Sequence, residues 1–277
     1  MAVCLTFLLV LGSLPIIVNA LLYLFKTVVT LSRSGDLSFR TFFKSGTALL
    51  PAFIKESLYS YICLVLIVQD WIACRFVRSP SLKTSNDQNQ SRLIILIHGF
   101  MATPAHMRIL EKRISHLGQT ALYRYRPSGI NLDDISAGLV DFILLASNRY
   151  NIKDIVIIGH SFGGLLGVKA ATKLAHRLNI ISVIGLATPF KGSALARFAI
   201  SKVAKSLQEK NYINKSDSTP LEFELTSIYS EHDQFVVPSD NSISDLAASN
   251  IKLSNIGHAS FSFDLSVALM IEAIIRK

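Results

Sequence analysis

Apolar residues dominate the first quarter of the chain and afterwards return in short runs separated by polar segments. Residues 1–25 carry no charged side chain, and a helix of that length can cross a bilayer. A second apolar stretch covers residues 58–76, and the segment between the two, residues 26–57, is mixed and contains several Lys and Arg residues. We therefore expect residues 1–78 to form an apolar helical region with one or two membrane helices.

Both apolar stretches have an alternative interpretation. A cleaved signal peptide would carry basic residues before its apolar core, but no Lys or Arg precedes Lys26, so an uncleaved membrane segment is favoured for residues 1–25. Residues 58–76 could span the bilayer or lie in its interface as an amphipathic helix. If both stretches span, the positive loop between them stays in the cytoplasm and the rest of the chain lies on the outer side, although basic residues after the second stretch weaken this orientation.

The remainder of the chain has the pattern of an alternating fold. Residues 79–91 are polar without periodicity, which is typical of a linker. The predicted strands cover residues 93–98, 121–124, 154–158, 180–186, 224–229 and 251–256, and the predicted helices cover residues 105–117, 132–149, 163–178, 193–208 and 263–276. Residues 92–277 are therefore expected to form an α/β unit, a mostly parallel sheet flanked by helices, with its functional crevice at the carboxyl ends of the strands.

The strongest chemical signal follows the third predicted strand. Residues 159–164 read Gly-His-Ser-Phe-Gly-Gly after an unbroken apolar run, which is the Gly-x-Ser-x-Gly pattern of a nucleophile elbow between a strand and a helix. Such a tight turn needs small residues and lifts the Ser161 hydroxyl above the end of the strand. The N–H of Phe162 begins the following helix, where negative charge is stabilised.

A reactive serine needs a base, and the base needs a carboxylate. The histidines after Ser161 are His176, His232 and His258. His176 lies in the helix after the elbow and is expected at the surface. His258 follows the last predicted strand through a glycine, and the usual order of acid before histidine favours it over His232, the main alternative.

The segment after the fifth predicted strand supplies the candidate acids. Asp233 is the first choice, Glu231 is the second, and Asp240 lies farther along. Ser193 ends the motif at 187–193, which follows the predicted strand 180–186. It is expected to cap the next helix and to shape the pocket rather than react.

The loop after the first predicted strand is expected to complete an oxyanion hole. Gly99 allows the chain to turn so that the N–H of Phe100 faces the serine, as a partner to the N–H of Phe162. His98 is expected to brace this loop through hydrogen bonds rather than to take part in catalysis.

Composition and charge indicate which molecules the protein is expected to contact. Half of the residues are hydrophobic and the formal net charge is +9, spread along the chain without a basic patch interleaved with aromatic residues. This favours an anionic membrane surface over nucleic acid as a neighbour. Cys4, Cys63 and Cys74 all lie in the apolar front region, so the α/β unit has no disulfide framework or cysteine metal site, and the redox compartment stays open.

Five separated motifs resemble those of the α/β-hydrolase superfamily, most closely the small bacterial lipases and esterases and related lipase-like membrane proteins. They are His-Gly-Phe at 98–100, Gly-His-Ser-Phe-Gly-Gly at 159–164, Ala-Thr-Pro-Phe-Lys-Gly-Ser at 187–193, Asp-Gln-Phe-Val-Val-Pro at 233–238 and Gly-His at 257–258. The resemblance implies the α/β-hydrolase fold. It also implies Ser161 as nucleophile, Asp233 as acid, His258 as base, and Phe100 and Phe162 as oxyanion donors, with no cofactor and no metal.

The expected function is hydrolysis of carboxylic esters, lipid esters in particular, through an acyl-enzyme. The alternatives are an acyltransferase or thioesterase with the same triad, or a catalytically inactive membrane-bound binding protein. The expected location is a membrane, the bacterial inner membrane, with the catalytic part on the periplasmic side. Residues 197–215 could form a small lid or an ordinary surface helix.

Overall fold

The elements of the fold follow the predicted alternation. The computed structural model describes residues 2–36, 38–73, 91–125, 132–199, 205, 207–208 and 220–277. Its helices are α1 (Ala2–Ser34), α2 (Phe39–Ala73), α3 (Pro104–Ile114), α4 (Leu132–Tyr150), α5 (Phe162–Leu174) and α6 (Leu265–Ile275). Its strands are β1 (Arg92–Ile97), β2 (Gln119–Tyr123), β3 (Asp154–His160), β4 (Asn179–Leu186), β5 (Glu224–Ser230) and β6 (Ser249–Leu253).

The six strands form one parallel sheet in the order β2-β1-β3-β4-β5-β6. The first strand, β1, lies in the interior of the sheet. The next strand, β2, pairs on one side of it, and β3 pairs on the other side. The order therefore reverses between β1 and β3, where Ile97 is paired with Gly159. In parallel sheets this switch point is where ligand sites form, at the carboxyl ends of the strands.

Both faces of the sheet are buried at its central strands, which explains the unbroken apolar runs of β1 and β3. Ile95 and Ile97 of β1 point to the face covered by α4 and α5, and the alternate residues Ile94 and Leu96 point to the face covered by α3 and α6. All four side chains are fully buried. A strand that must satisfy two apolar layers reads as a continuous hydrophobic run.

The predicted sheet and its flanking helices are confirmed, with shifts at the element ends. The largest difference is in the predicted helix 193–208, whose described first part, residues 193–199, contains a short 3₁₀ helix, Ala194–Phe198. Most of residues 197–215, considered above as a lid, lie outside the described residues. So does the predicted linker, except Ser91.

The front of the chain is more helical than the sequence interpretation expected. The mixed segment 26–57 does not form a positive loop, because α1 continues to Ser34 and α2 already begins at Phe39. We call these two antiparallel helices the hairpin. By length and composition, Ser13–Ser34 and Lys44–Asp70 are apolar enough to cross a bilayer, with mean hydropathy of 1.9 and 1.5, a test that signal sequences and buried core helices also pass.

The hairpin packs against the α/β unit along much of its length. On α2, Lys55 forms an ion pair with Asp264, and Asp70 forms a bidentate pair with Arg124 at 2.8 and 2.9 Å. Tyr59 of α2 stacks on Phe263 with ring centroids 5.2 Å apart. These contacts run over about 22 Å of helix, at 1.5 Å per residue, so Lys55 and Asp70 face the α/β unit.

Candidate active site

Ser161 occupies a strained turn between β3 and α5. Its backbone has φ of 54° and ψ of −122°, a region that non-glycine residues rarely adopt and that is found at functional sites. The turn is possible because the backbones of Gly159 and Gly163 lie close together and neither position has room for a side chain. A Cβ on Gly159 would lie 2.4 Å from the backbone of Gly163, and a Cβ on Gly163 would lie 2.5 Å from the carbonyl oxygen of Ile97. The spacing Gly-x-Ser-x-Gly is therefore dictated by packing of the turn.

The loop after β1 lies beside this turn because β1 and β3 are neighbours. The N–H of Ala102 donates to the carbonyl of Gly99 at 3.2 Å, which closes a tight turn around Phe100. The rings of Phe100 and Phe162 meet edge to face, with centroids 6.3 Å apart. The two residues predicted as oxyanion donors are thus adjacent, and Phe162 is the first residue of α5, where N–H groups have no partner within the helix.

His98 and Tyr125 hold this loop in place. The Nδ1–H of His98 donates to the carbonyl of Gly99 at 2.9 Å, and the hydroxyl of Tyr125 donates to the carbonyl of His98 at 3.0 Å. The two rings stack in parallel with centroids 4.3 Å apart. Burial lowers the pKa of His98 to about 4, so the ring is neutral at physiological pH. These contacts agree with the bracing role expected for His98, whereas nothing in the sequence singled out Tyr125.

Asp233 and His258 form a direct pair. Oδ2 of Asp233 accepts a hydrogen bond of 2.8 Å from Nδ1 of His258, and Oδ1 accepts from the N–H groups of Phe235 and Val236 at 2.7 and 3.0 Å. Asp233 is 1% exposed. Because the proton on Nδ1 is engaged, Nε2 of His258 is the basic nitrogen of the ring.

The alternative residues lie in other surroundings. Glu231 accepts from Ser254, and Nδ1 of His232 accepts from the N–H of Asn255, both on the solvent side of the strand ends. Asp240 lies in the 3₁₀ helix Ser239–Ser242, and His176 is exposed in the turn after α5. The hydrogen bonding therefore favours Asp233 and His258 over these alternatives.

The elbow is connected to His258 through its own strand. Nε2–H of His160, the residue before Ser161, donates to the carbonyl of His258 at 2.9 Å, and the two rings have centroids 4.8 Å apart. Ser161 itself is fixed by a hydrogen bond of 2.7 Å from its N–H to the carbonyl of Leu186. Burial keeps the pKa of His160 well below its ordinary value, so this ring is neutral beside His258.

The charge environment of His258 suits a base. Burial lowers its pKa, but the nearby carboxylates of Asp233 and Glu56 together with the hydrogen bond to Asp233 outweigh this effect. The net result is a pKa above the ordinary histidine value. A raised pKa means that the charged form of His258 is favoured. The imidazolium that forms when His258 takes a proton is therefore stabilised by the buried carboxylate of Asp233.

Ser193 behaves as expected for a residue that shapes the site. Its hydroxyl donates to the carbonyl of Phe235 at 2.6 Å and accepts from the N–H groups of Val237 and Leu195, the latter at the start of a 3₁₀ helix. It thus caps that helix and ties it to the loop that carries Asp233. Within the described residues, no group of three or more His, Cys, Asp and Glu side chains is arranged to hold a metal ion.

The sequence interpretation did not identify the contribution of the hairpin. Lys26 of α1 donates from Nζ to the carbonyl of Asp233 at 2.9 Å, and Glu56 of α2 accepts hydrogen bonds from the loop after β6. Gln234 links the two loops, since its Oε1 accepts from the N–H of His258 at 3.1 Å and its Nε2–H donates to Glu56 at 2.8 Å. The sequence signal that could have indicated these contacts is the presence of the charged residues Lys26 and Glu56 in the apolar front region.

Comparisons with known proteins bear on the fold and on the family. Residues 87–219 match the family described as "Putative serine esterase (DUF676)". The chain is similar to a Bacillus licheniformis lipase in its mature form, with 17% identity and a TM-score of 0.59 over 72% of this chain and 95% of that one.

Two further solved structures show the same likeness. One is Est1E from Butyrivibrio proteoclasticus with bound ferulic acid, at 16% identity and a TM-score of 0.53 over 72% of this chain and 92% of that one. The other is a lipase-esterase related protein from Clostridium acetobutylicum, at 13% identity and a TM-score of 0.51 over 69% and 96%. No curated protein matches the chain by sequence.

The resemblance inferred from five short motifs is confirmed at the level of fold. The parallel sheet, the elbow after β3 and the solved relatives all agree, and the family match falls on the segment that carries the elbow. The chain has the α/β-hydrolase fold, and its residues 87–219 match the family described as "Putative serine esterase (DUF676)".

Proposed function

We propose that the protein is a serine hydrolase that cleaves carboxylic esters through an acyl-enzyme, with Ser161, His258 and Asp233 as its triad. The observation that carries the proposal is the 2.8 Å hydrogen bond between Asp233 and His258, whose carbonyl accepts from His160, the residue before Ser161. The match of residues 87–219 to a serine esterase family supports the same class of reaction.

In the proposed reaction, Oγ of Ser161 attacks the ester carbonyl while Nε2 of His258 takes its proton. Asp233 holds the imidazole in the correct tautomer and stabilises its charged form. The N–H groups of Phe100 and Phe162 stabilise the oxyanion of the tetrahedral intermediate. His258 then gives the proton to the leaving alcohol, and water releases the acyl group by the same route.

Lipid esters are the proposed substrates, because the outer face of the hairpin is apolar and exposed. On α2 the exposed side chains recur at helical spacing along one stripe: Leu50, Ile54, Leu58, Tyr61, Val65, Val68 and Ile72. An exposed apolar stripe of this length marks an interaction surface. Here we propose that the partner is lipid, which would cover the stripe at the surface of a membrane.

We further propose that the hairpin lies in the membrane interface rather than across the bilayer. The side of the hairpin opposite to the stripe carries Lys26, Glu56 and Asp70, which all bind residues of the α/β unit. A spanning helix would have to expose these polar groups to lipid, at a cost of several kcal/mol for each unsatisfied group. Exposed Arg40 and Lys44, near the turn of the hairpin, suit an anionic lipid surface.

The proposed function is tested with the full chain, purified in mild detergent and assayed on a series of p-nitrophenyl esters and on dispersed long-chain glycerides. We expect ester hydrolysis that Ser161→Ala abolishes without changing the thermal unfolding temperature, and higher kcat/KM on dispersed long-chain esters than on short soluble ones. Full activity of the Ser161→Ala variant would contradict the assignment of the nucleophile. Faster cleavage of thioesters, or transfer to an added alcohol, would point to the alternative reactions.

A further inference from the structure

The carboxylate of Glu56 is buried at the centre of the loop that carries His258. Glu56 is 0% exposed although it lies on α2, a helix far away in sequence. One oxygen accepts from the N–H of Ala259 at 2.6 Å and from Nε2–H of Gln234 at 2.8 Å. The other accepts from the N–H and the hydroxyl of Ser260 at 3.0 and 2.6 Å. Four donors match the acceptor capacity of an ionised carboxylate.

The chain next to His258 has room for this carboxylate only because residue 257 is a glycine. A Cβ on Gly257 would lie 2.4 Å from Oε2 of Glu56. The two residues that follow His258 donate their N–H groups to Glu56, so the carboxylate holds the histidine loop by hydrogen bonds after His258 and lies against Gly257 before it. Hydrogen bonds to a charged acceptor are short and strong, and several on one group define a geometry.

The same carboxylate reaches the loop of the acid through Gln234, which follows Asp233 directly. Gln234 is fully buried and uses both ends of its amide: Oε1 accepts from the N–H of His258, and Nε2–H donates to Glu56 and to Oδ1 of Asn19. From α1, Lys26 donates to the carbonyl of Asp233. The hairpin therefore contacts the acid loop and the histidine loop at the same time.

We propose that Glu56 is a positioning residue for the Asp233–His258 pair, so that the hairpin is part of the catalytic apparatus and not a separable membrane anchor. The proposal rests on the proposed role of His258 as the general base. Glu56 acts in two ways: it fixes the two loops at the spacing that the 2.8 Å hydrogen bond requires, and its negative charge favours the imidazolium that forms during the reaction.

The charge effect can be isolated because the groups around His258 are known. Among the described residues, the titratable or charged groups that face it or its partners are Asp233, Glu56, His160, His106 behind His160, Cys63 of α2 beside His106, and Lys26 and Tyr23 from α1. Burial keeps His160 and His106 neutral. The negative charges acting on His258 are therefore those of Asp233 and Glu56, and both raise its pKa.

The test compares Glu56→Gln with Asp70→Asn in the full chain. Both variants neutralise a buried carboxylate of α2 that binds the α/β unit, but Asp70 pairs with Arg124 and does not touch the triad loops. For Glu56→Gln we expect kcat to fall about 10- to 100-fold with little change in KM, and the acid limb of the kcat/KM profile to move to lower pH. Asp70→Asn is expected to leave both the limb and kcat in place.

Two milder variants keep the test open if Glu56→Gln does not accumulate in folded form. Ser260→Ala removes one donor and keeps the carboxylate, and Glu56→Asp keeps the charge but withdraws the carboxylate by one methylene. Both are expected to lower kcat several-fold, and Glu56→Asp is expected to keep the acid limb closer to that of the unaltered protein than Glu56→Gln does.

The outcomes separate this proposal from the proposed function. A folded Glu56→Gln variant with the kcat and acid limb of the unaltered enzyme would overturn the proposal, as would unchanged kcat in both milder variants. A lower unfolding temperature without a change in either kinetic quantity would reduce Glu56 to a structural residue and equally contradict it. If Ser161→Ala retains activity, the proposed function fails instead, whatever the Glu56 variants do.

Discussion

Nδ1 of His258 lies 2.8 Å from Oδ2 of Asp233, although 24 residues separate them in the chain. The contact follows from strand order, because Asp233 comes after β5, His258 comes after β6, and these strands pair in register with Ser230 opposite Leu253. Two loops that leave neighbouring parallel strands emerge at the same edge of the sheet. The pair is therefore built into the topology, and the hairpin helices fasten both loops from outside.

The first prediction concerns pH. Burial lowers the pKa of His258, but Asp233 and Glu56 together raise it by more than burial lowers it. The net pKa therefore lies above the usual value of about 6.5. Since the base must be unprotonated, kcat/KM is expected to rise with pH through a midpoint above that value. Asp233→Asn should move this midpoint to lower pH and reduce kcat by about 10⁴-fold. A steady-state pH profile measures both quantities.

Glu231→Gln is the matched control for that experiment. Glu231 is close in sequence to Asp233 but accepts its hydrogen bond from Ser254 on the solvent side. Its removal is expected to leave the midpoint and kcat almost unchanged. Equal losses in the two variants would show that the acid has been assigned to the wrong residue.

The second prediction concerns the elbow. Gly163→Ala would place a Cβ 2.5 Å from the carbonyl oxygen of Ile97, so strand and helix would have to move apart. We expect a loss of about 3 kcal/mol or more in the free energy of unfolding. Gly46→Ala on α2 meets nothing within 4 Å and should be neutral or stabilising by up to about 1 kcal/mol. Chemical denaturation compares the two, and tolerance of alanine at position 163 would contradict the packing described for the turn.

The third prediction separates loop positioning from stability. Tyr125→Phe removes the hydroxyl that donates to the carbonyl of His98, and Tyr123→Phe removes a similar hydroxyl that donates to the carbonyl of Ile135. Each change is expected to cost about 1 kcal/mol of stability. Only Tyr125→Phe should also lower kcat, by several-fold, because the loop with the proposed oxyanion donor Phe100 loses a support. Identical kinetics for the two variants would argue against a role of this loop in catalysis.

The fourth prediction concerns the outer face of the hairpin. Flotation of the protein with vesicles of phosphatidylcholine and phosphatidylglycerol is expected to show binding that Ile54→Glu and Leu58→Glu together weaken at least 10-fold, because both side chains lie in the exposed apolar stripe. The control is Leu269→Glu, which changes an equally exposed leucine on α6. Similar losses in the control, or none in the hairpin variant, would exclude the hairpin as the lipid-facing surface.

The α/β unit could be predicted because its sequence is locally consistent. The central strands β1 and β3 are apolar runs bounded by turn residues. The elbow has a pattern that few other structures need, as the contacts of Gly159 and Gly163 make clear. The acid and the histidine could be proposed from chain order and loop position. Their direct contact depends on the pairing of β5 with β6, which the sequence does not state.

The role of the hairpin could not be predicted from the sequence. Hydrophobicity scales treat Lys26 and Glu56 as interruptions of apolar stretches and carry no information about distant partners. The partners of Glu56 lie about 200 residues away, at Gln234, Ala259 and Ser260. A charged residue that is fully buried must be paired, so its presence in an apolar helix signals a partner without naming it.

The most direct test of the central claim, a nucleophilic serine at the elbow, is covalent labelling of the full chain with a fluorophosphonate followed by mass spectrometry of the modified peptide. The account predicts stoichiometric modification of Ser161, abolished in Ser161→Ala and strongly slowed in His258→Ala. Absence of labelling in folded protein, or modification at another serine with Ser161 untouched, would contradict it.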